Sequence, residues 1–287
     1  MPTSTSRVTV ISPDELEGSG EITKPGVFYS WKDYDRHYLA EGDSWFSLSG
    51  ILSPSFLYRF GNNVPLKQST LIVNCSYPGD TLARMVDWTK NRNFPNLLAR
   101  KKFGWEWDGI LLSAGGNDII EAALSPAGIL QPCVNPANIQ DFIASNAVTV
   151  LGNHLKDCFR NLVSMRDTSE IVANRTIPIL YHTYGYPTPR NAPASLSGPW
   201  LYAAFNQMNI PSNHWNALSD ALMDELADML RRFAGISTNL RLVDTLQNVT
   251  LIRANANDTG NSGDWLNEIH LNNNGKDKIA RFWADFL

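Results

Sequence analysis

The chain has 287 residues, a formal charge of −4 at pH 7, and 43% hydrophobic against 18% charged residues. This composition predicts a folded protein with a large core and excludes disordered and fibrous proteins. No stretch concentrates Lys and Arg as a phosphate-binding surface would, so we expect no nucleic acid partner.

Residues 1–30 are predicted to form an extended lead-in to one domain over 31–287. They contain a short apolar patch, Val8 to Ile11, but no basic leader followed by a long apolar core, so no signal peptide is evident. No apolar run reaches the length that crosses a bilayer, and we expect no integral membrane association.

Short apolar runs rich in β-branched residues alternate with segments of helical period along the chain. The clearest runs are 69–75, 109–113 and 177–181, and weaker ones are 38–41 and 240–244. This alternation is typical of a parallel sheet covered by helices on both faces. We therefore predict a three-layer α/β/α domain around a central parallel sheet of about five strands.

Helical periodicity is plainest over 213–233, where Leu and Met recur at three- and four-residue steps. Segments 138–165 and 273–287 are predicted as two further helices by the same criterion. Two stretches rich in Pro, Ala, Ser and Gly, 121–137 and 185–200, are predicted as inserted loops. Long loops of this kind often shape a substrate site.

Polar residues that directly follow the apolar runs are the first candidates for a functional site, because ligands of open parallel sheets bind at the carboxyl ends of the strands. Three blocks satisfy this condition: EGDSW at 41–45, CSYPGD at 75–80 and GGND at 115–118. A fourth block, DWLNEIH at 264–270, precedes the last predicted helix.

Together and in this order, the four blocks resemble the SGNH (GDSL) hydrolases, whose name gives their Ser, Gly, Asn and His. The matching residues are Ser44, Gly79, Asn117 and His270. Each block alone occurs by chance, but all four in order are a fairly specific signal. The resemblance runs from about residue 38 to the end, and it implies a flavodoxin-like sheet and an ester hydrolase.

In this resemblance Ser44 is the nucleophile and His270 is the base that accepts its proton. The oxyanion is bound by the backbone N–H groups of Ser44 and Gly79 and by the side-chain amide of Asn117. Taken singly, Ser44 and Asn117 also suit helix N-caps and Gly79 suits an ordinary turn. Their joint occurrence with His270 favours the catalytic interpretation.

The acid that orients the histidine is where the sequence departs from the family. The family usually has Asp three residues before the His, and Asn267 occupies that position. The nearby carboxylates are Asp264 and Glu268, and we expect Asp264 to orient His270, with a Ser–His dyad supported by a backbone carbonyl as the alternative. A histidine base predicts an apparent pKa of about 6–7.5 in kcat/KM.

The sequence therefore predicts a serine esterase that forms an acyl-Ser44 intermediate and acts on a small-molecule or glycan ester, such as a short-chain or O-acetyl ester. Two alternatives stay open: an acyltransferase that uses the same acyl-enzyme, and a non-catalytic binding protein on the same fold. His182, which follows the run at 177–181, faces the cleft or is a structural histidine.

Motifs for other chemistries are missing from the sequence. It has no H-E-x-x-H, no phosphate-binding G-x-x-x-x-G-K-S/T and no G-x-G-x-x-G after a strand, so we expect no metal and no cofactor. It also lacks the G-x-S-x-G elbow, which argues against an α/β-hydrolase. The three cysteines follow no C-x-x-C spacing and are expected to be buried or free thiols.

Overall fold

The structure, a computed structural model, describes residues 7–47, 54–61, 63–195 and 197–287. Its centre is a six-stranded sheet in the order β1-β3-β2-β4-β5-β6, in which every pair of neighbouring strands is parallel. The strands are β1 (Val8–Ile11), β2 (Arg36–Gly42), β3 (Thr70–Asn74), β4 (Gly109–Ser113), β5 (Ile179–His182) and β6 (Leu240–Val243).

The inner strands form because their apolar runs are covered on both faces. Strand β4 is buried along its whole length, and in β3 the run Leu71–Val73 has no exposed surface. Continuous apolar strands of this kind are expected in parallel sheets with helices on both sides. The predicted three-layer α/β/α architecture is confirmed.

Strand β1 was not among the predicted strands. It lies within the predicted lead-in, 1–30, and pairs with β3 through the register Val8↔Thr70 to Ile11↔Val73. Its apolar patch, Val8 to Ile11, was noted in the sequence but not assigned to the sheet. It pairs on one side only, so the sheet has β1 at one edge and β6 at the other.

Eight α-helices lie in the described residues. They are α1 (Leu82–Met85), α2 (Asn93–Ala99), α3 (Gly116–Leu124), α4 (Ser145–Asp167), α5 (Leu201–Gln207), α6 (Trp215–Phe233), α7 (Thr245–Asn248) and α8 (Asn273–Trp283). Short 3-10 helices span Pro13–Glu15, Trp31–Asp33, Phe56–Arg59, Ile139–Phe142, Val172–Thr176 and Ser212–His214. The helix predicted over 138–165 thus begins as a 3-10 turn, and that over 273–287 ends at Trp283.

The helices pack in two groups. Helix α4 contacts α1, α2, α3 and α6, whereas α8 contacts α7 and the 3-10 turn Phe56–Arg59. Within the described ranges, no helix is both long and apolar enough to cross a membrane.

The sheet brings the ends of β2 and β4 into close contact where the candidate residues follow. A Cβ on Gly42 would lie 2.8 Å from both the Cβ and the carbonyl oxygen of Ser113, so only glycine allows this approach. The backbone N–H of Tyr77 donates to the carbonyl of Gly42 at 3.0 Å and holds the loop after β3 against the same point. Three of the four candidate blocks therefore meet at one edge.

We expect Phe159→Ala to lower the free energy of unfolding by about 3–5 kcal/mol, measured by denaturant unfolding. Phe159 of α4 is fully buried, and its ring lies 5.0 Å from the rings of both Tyr181 and Phe233. The control is Val150→Ala on the same helix, where the side chain is 69% exposed and we expect a change within about 0.5 kcal/mol. Equal effects of the two substitutions would contradict the assigned core.

Candidate active site

The nucleophile candidate lies in a tight turn at the end of β2. The carbonyl of Asp43 accepts from the N–H of Phe46 at 3.1 Å, and the Asp43 carboxylate accepts from the N–H of Trp45 at 3.0 Å. The turn leaves Ser44 half-buried, with its side chain in a cleft lined also by Trp45. An aspartate before the serine thus caps the turn that presents it.

Ser44 and His270, which are 226 positions apart in the chain, meet directly. Nε2 of His270 lies 2.7 Å from Oγ of Ser44. The imidazole is only 8% exposed, and the indole N–H of Trp45 donates to the carbonyl of Ile269 at 3.2 Å, which ties the serine turn to the histidine loop. The sequence-predicted pair is therefore at hydrogen-bonding distance.

The side-chain oxygen of Asn267 lies 3.0 Å from Nδ1 of His270. The same oxygen accepts from the backbone N–H groups of His270, at 2.9 Å, and Ile269, at 3.2 Å. Two backbone donors on this atom identify it as the amide oxygen, since the amide nitrogen could not accept. Nδ1 must therefore carry the hydrogen, and Nε2 presents its lone pair to Ser44.

The structure contradicts the expectation that Asp264 orients His270. The Asp264 carboxylate accepts from Nζ of Lys278 and from the backbone N–H of Ile252, both at 2.6 Å. Because Lys278 lies in the middle of helix α8, the Asp264 carboxylate joins that helix to the segment that carries Ile252. The contact expected from Asp264 is made by Asn267.

Burial lowers the pKa of His270 to about 4, and the positive charge of the neighbouring Lys276 adds to the lowering. An aspartate at position 267 would have opposed this effect, but the neutral amide supplies no charge. The pKa of His270 is therefore below the range of about 6–7.5 expected from an ordinary histidine base.

The remaining oxyanion candidates lie on the loops after β3 and β4. Nδ2 of Asn117 donates to the carbonyl of Asp80 at 3.0 Å, and Asn117 lines the same cavity as Ser44. Gly79 has a φ of 82°, a conformation that glycine adopts without strain. Within the described ranges, neither the backbone N–H of Ser44 nor that of Gly79 donates a hydrogen bond. Gly79 is exposed and lines neither of the two cavities that Ser44 lines.

A buried polar network stabilises the turn that carries Ser44. The Asp43 carboxylate accepts from the hydroxyl groups of Ser113, at 2.8 Å, and Tyr184, at 2.5 Å. Nε2 of His182 lies 2.9 Å from the Ser113 hydroxyl, and burial lowers the pKa of His182 to about 3. His182 is thus the structural histidine of the two interpretations.

Two charged residues, Arg190 and Glu268, hold the inserted loop 185–200 against the segment 264–270, which carries His270. The sequence had given neither of them this role. The Arg190 guanidinium, 1% exposed as a residue, donates to the carbonyl of Asn267 at 2.8 Å. The Glu268 carboxylate accepts from the backbone N–H groups of Trp200 and Tyr202. Burial raises the pKa of Glu268 to about 7. Both residues contact groups that are far away in the sequence, so no local sequence pattern predicts these contacts.

This loop also places an aromatic ring against the base. The ring of Trp200 lies 5.4 Å from that of His270 at an interplanar angle of 79°, an edge-to-face contact. Trp200 therefore limits how the imidazole can rotate away from Ser44.

Other chemistry-bearing groups are sparse in the part of the chain that the structure describes. No group of three or more His, Cys, Asp or Glu residues there could hold a metal ion. The cysteines are free: Cys158 is buried, and Cys75 and Cys133 are half-buried.

No family model matches the chain. No curated protein matches it either. Among solved structures, the lipase Lip_vut3 from a goat rumen metagenome has a TM-score of 0.52 and 13% identity, over 87% of this chain and 96% of that one.

Two other solved structures are similar over comparable lengths. The aryl esterase of M. smegmatis has a TM-score of 0.48 and 13% identity over 88% of this chain and 97% of that one. Est24, a carbohydrate acetylesterase from Sinorhizobium meliloti, has a TM-score of 0.44 and 14% identity over 88% and 97%. At identities this low, structural similarity shows the fold alone, and the fold of this chain is that of the SGNH (GDSL) hydrolases.

Proposed function

We propose that the protein is a serine esterase that hydrolyses carboxylic esters through an acyl-Ser44 intermediate. The observation that carries the proposal is the 2.7 Å contact between Oγ of Ser44 and Nε2 of His270, with Asn267 fixing the tautomer that accepts a proton. A serine hydroxyl is a weak nucleophile at neutral pH, and a neutral imidazole in this position removes that limitation.

In the first half of the proposed reaction, Oγ of Ser44 attacks the ester carbonyl carbon and Nε2 of His270 takes the hydroxyl proton. The carbonyl oxygen becomes an oxyanion, to which the N–H groups of Ser44 and Gly79 and the amide of Asn117 donate. The C–O bond to the alcohol then breaks, and His270 delivers the proton to the departing oxygen. The acyl group stays on Ser44.

In the second half, water occupies the place of the alcohol. His270 takes a proton from the water, the resulting nucleophile attacks the acyl carbon, and the proton returns to Oγ of Ser44 as the ester bond to the enzyme breaks. The products are one carboxylic acid and one alcohol per ester and water consumed. The same residues serve both halves, so no further group is required.

Asn267 has a defined part in this proposal. It holds Nδ1–H of the imidazole and thereby the productive tautomer, but it cannot stabilise the imidazolium by charge. The base is consequently weak but stays neutral in acidic solution, where an ordinary histidine would be protonated. The lipase of the goat rumen metagenome shares the fold on which this constellation is built, and this is compatible with an esterase.

We expect Ser44→Ala to lower kcat for p-nitrophenyl acetate by at least about 10⁴-fold and to abolish labelling by a fluorophosphonate, because the proposed acyl-enzyme forms on Oγ of Ser44. The control is Ser47→Ala, three residues along the same turn, whose Oγ has no hydrogen-bond partner in the described residues. It should keep both activities. Labelling that survives in the S44A variant would contradict the assignment of the nucleophile.

We expect kcat/KM of the wild-type protein to stay constant from pH 8 down to about pH 5 and to fall only below it, because the neutral form of His270 is the active one and its pKa is lowered to about 4. Asn267→Asp places a negative charge beside Nδ1, favours the imidazolium and should move the acidic limb upward by about one pH unit or more. The pH dependence of kcat/KM for an activated ester measures both.

The control for this shift is Asn267→Ala, which removes the hydrogen bond without adding charge. It should lower kcat without moving the acidic limb of the kcat/KM profile to higher pH. Asp43 and Glu268, whose pKa values burial raises to about 6 and about 7, are present in all three proteins and cannot account for a shift seen only in the N267D variant. An unshifted limb in that variant would remove His270 as the base.

A further inference from the structure

A small cavity lies beside Ser44 and Asn117 and offers about 40 Å³ of space for water-sized groups. Its lining includes six apolar side chains, those of Trp45, Ile120, Pro187, Met223, Trp265 and Ile269. Met223 comes from α6 and Ile120 from α3, so rigid helices form part of the wall.

Two of the polar side chains that reach this cavity, those of Asp43 and Tyr184, are already engaged with each other. Asp43 and Tyr184 contribute to the lining, but the Tyr184 hydroxyl donates to one carboxylate oxygen of Asp43 at 2.5 Å. The other oxygen accepts from Ser113 and from the N–H of Trp45. The rest of the lining is mostly hydrocarbon, so the space beyond Ser44 and Asn117 suits an apolar chain.

The position of His270 distinguishes the two ends of a bound ester. His270 protonates the departing alcohol oxygen, so the alcohol must leave on the side of Nε2. His270 does not line the apolar cavity; it lines a separate, smaller one with Ser44 and Lys276. The acyl chain extends from the opposite side of the carbonyl carbon, towards the cavity that Ser44 shares with Asn117.

We infer that the apolar cavity is the acyl pocket and that the substrates are esters of short, unsubstituted acyl groups from acetyl to butyryl; this rests on the proposed esterase function. A water-sized group occupies about 10–15 Å³ on the same measure, so the cavity accommodates about three groups. That number corresponds to the carbons beyond the carbonyl in a butyryl group. On the protein side of the cavity, a longer chain would meet the buried side chains of Met223 and Trp265.

Met223 is the side chain that we choose to test the length limit. It is 6% exposed, and its thioether chain bounds the cavity on the α6 side. Met223→Ala removes Cγ, Sδ and Cε and leaves the backbone of the helix in place. Met229 provides a matched control on the same helix, because it is also buried, at 2% exposure, but does not line the cavity.

The experiment measures kcat/KM for p-nitrophenyl acetate, butyrate, hexanoate and octanoate, below their micellar concentrations. In the wild-type protein we expect the octanoate value to be about tenfold or more below the butyrate value. The ratio of octanoate to butyrate should rise about tenfold in the M223A variant and stay unchanged in the M229A variant. Each ratio is taken within one preparation, so it does not depend on the folded fraction.

A substitution in the opposite sense tests the same wall without creating a cavity. Ile120→Phe adds volume to the lining and should lower kcat/KM for butyrate relative to acetate by about tenfold. This ratio keeps the inference testable even if the M223A variant does not fold.

A separate experiment tests whether the cavity holds the acyl group or the alcohol of the ester. With the acyl group kept as acetyl and the alcohol varied among p-nitrophenol, phenol and ethanol, Met223→Ala should leave the ranking of the three esters unchanged. A changed ranking with an unchanged chain-length profile would overturn the inference, because the cavity would then hold the alcohol.

Two further outcomes separate this inference from the function on which it rests. Turnover that depends on Ser44 but is as fast with octanoate as with butyrate would overturn the short-acyl pocket and leave the esterase intact. No Ser44-dependent turnover of any ester would overturn both.

Discussion

The buried carboxylate of Asp43 joins the ends of three strands, and the turn that carries Ser44 is built on it. It follows β2, accepts from Ser113 at the end of β4, and accepts from Tyr184 just beyond β5. Burial raises its pKa to about 6, and three hydrogen bonds, from Trp45, Ser113 and Tyr184, offset the loss of hydration. An unmatched oxygen here would cost about 1–3 kcal/mol, so the strand ends and the serine turn are fixed together.

Much of the candidate site was predictable because parallel strands end at one edge of the sheet. Ser44 and Asn117 each follow an apolar run, so the sequence alone predicts both at this edge. The partner of His270 was not predictable in this way. Asp264 and Asn267 lie in one short loop, and which of them faces the imidazole depends on Lys278, a residue of the following helix that takes the Asp264 carboxylate. Sequence spacing does not encode that competition.

The difference between local sequence patterns and contacts between distant segments also explains which parts of the fold were not predicted. The five strands β2 to β6 lie at apolar runs that alternate with helical segments, and the long amphipathic helices have a repeating pattern, so these elements were found. The loop 185–200 has none, yet Arg190 and Glu268 fasten it to the segment that carries His270. Both are buried ionisable residues that bind backbone groups far away in sequence. The geometry of the base therefore depends on contacts between loops whose partners the sequence alone does not reveal.

The two edge strands of the sheet affect whether copies of the protein aggregate at high concentration. An exposed strand edge can pair with a second molecule and start aggregation, and short or charged edges suppress this. Both edge strands, β1 and β6, have only four residues. Nζ of Lys24 already occupies the carbonyl of Val10 in β1, and β6 exposes Arg241. The long, apolar strands of this sheet are thus all interior, and neither border offers another chain an extended template.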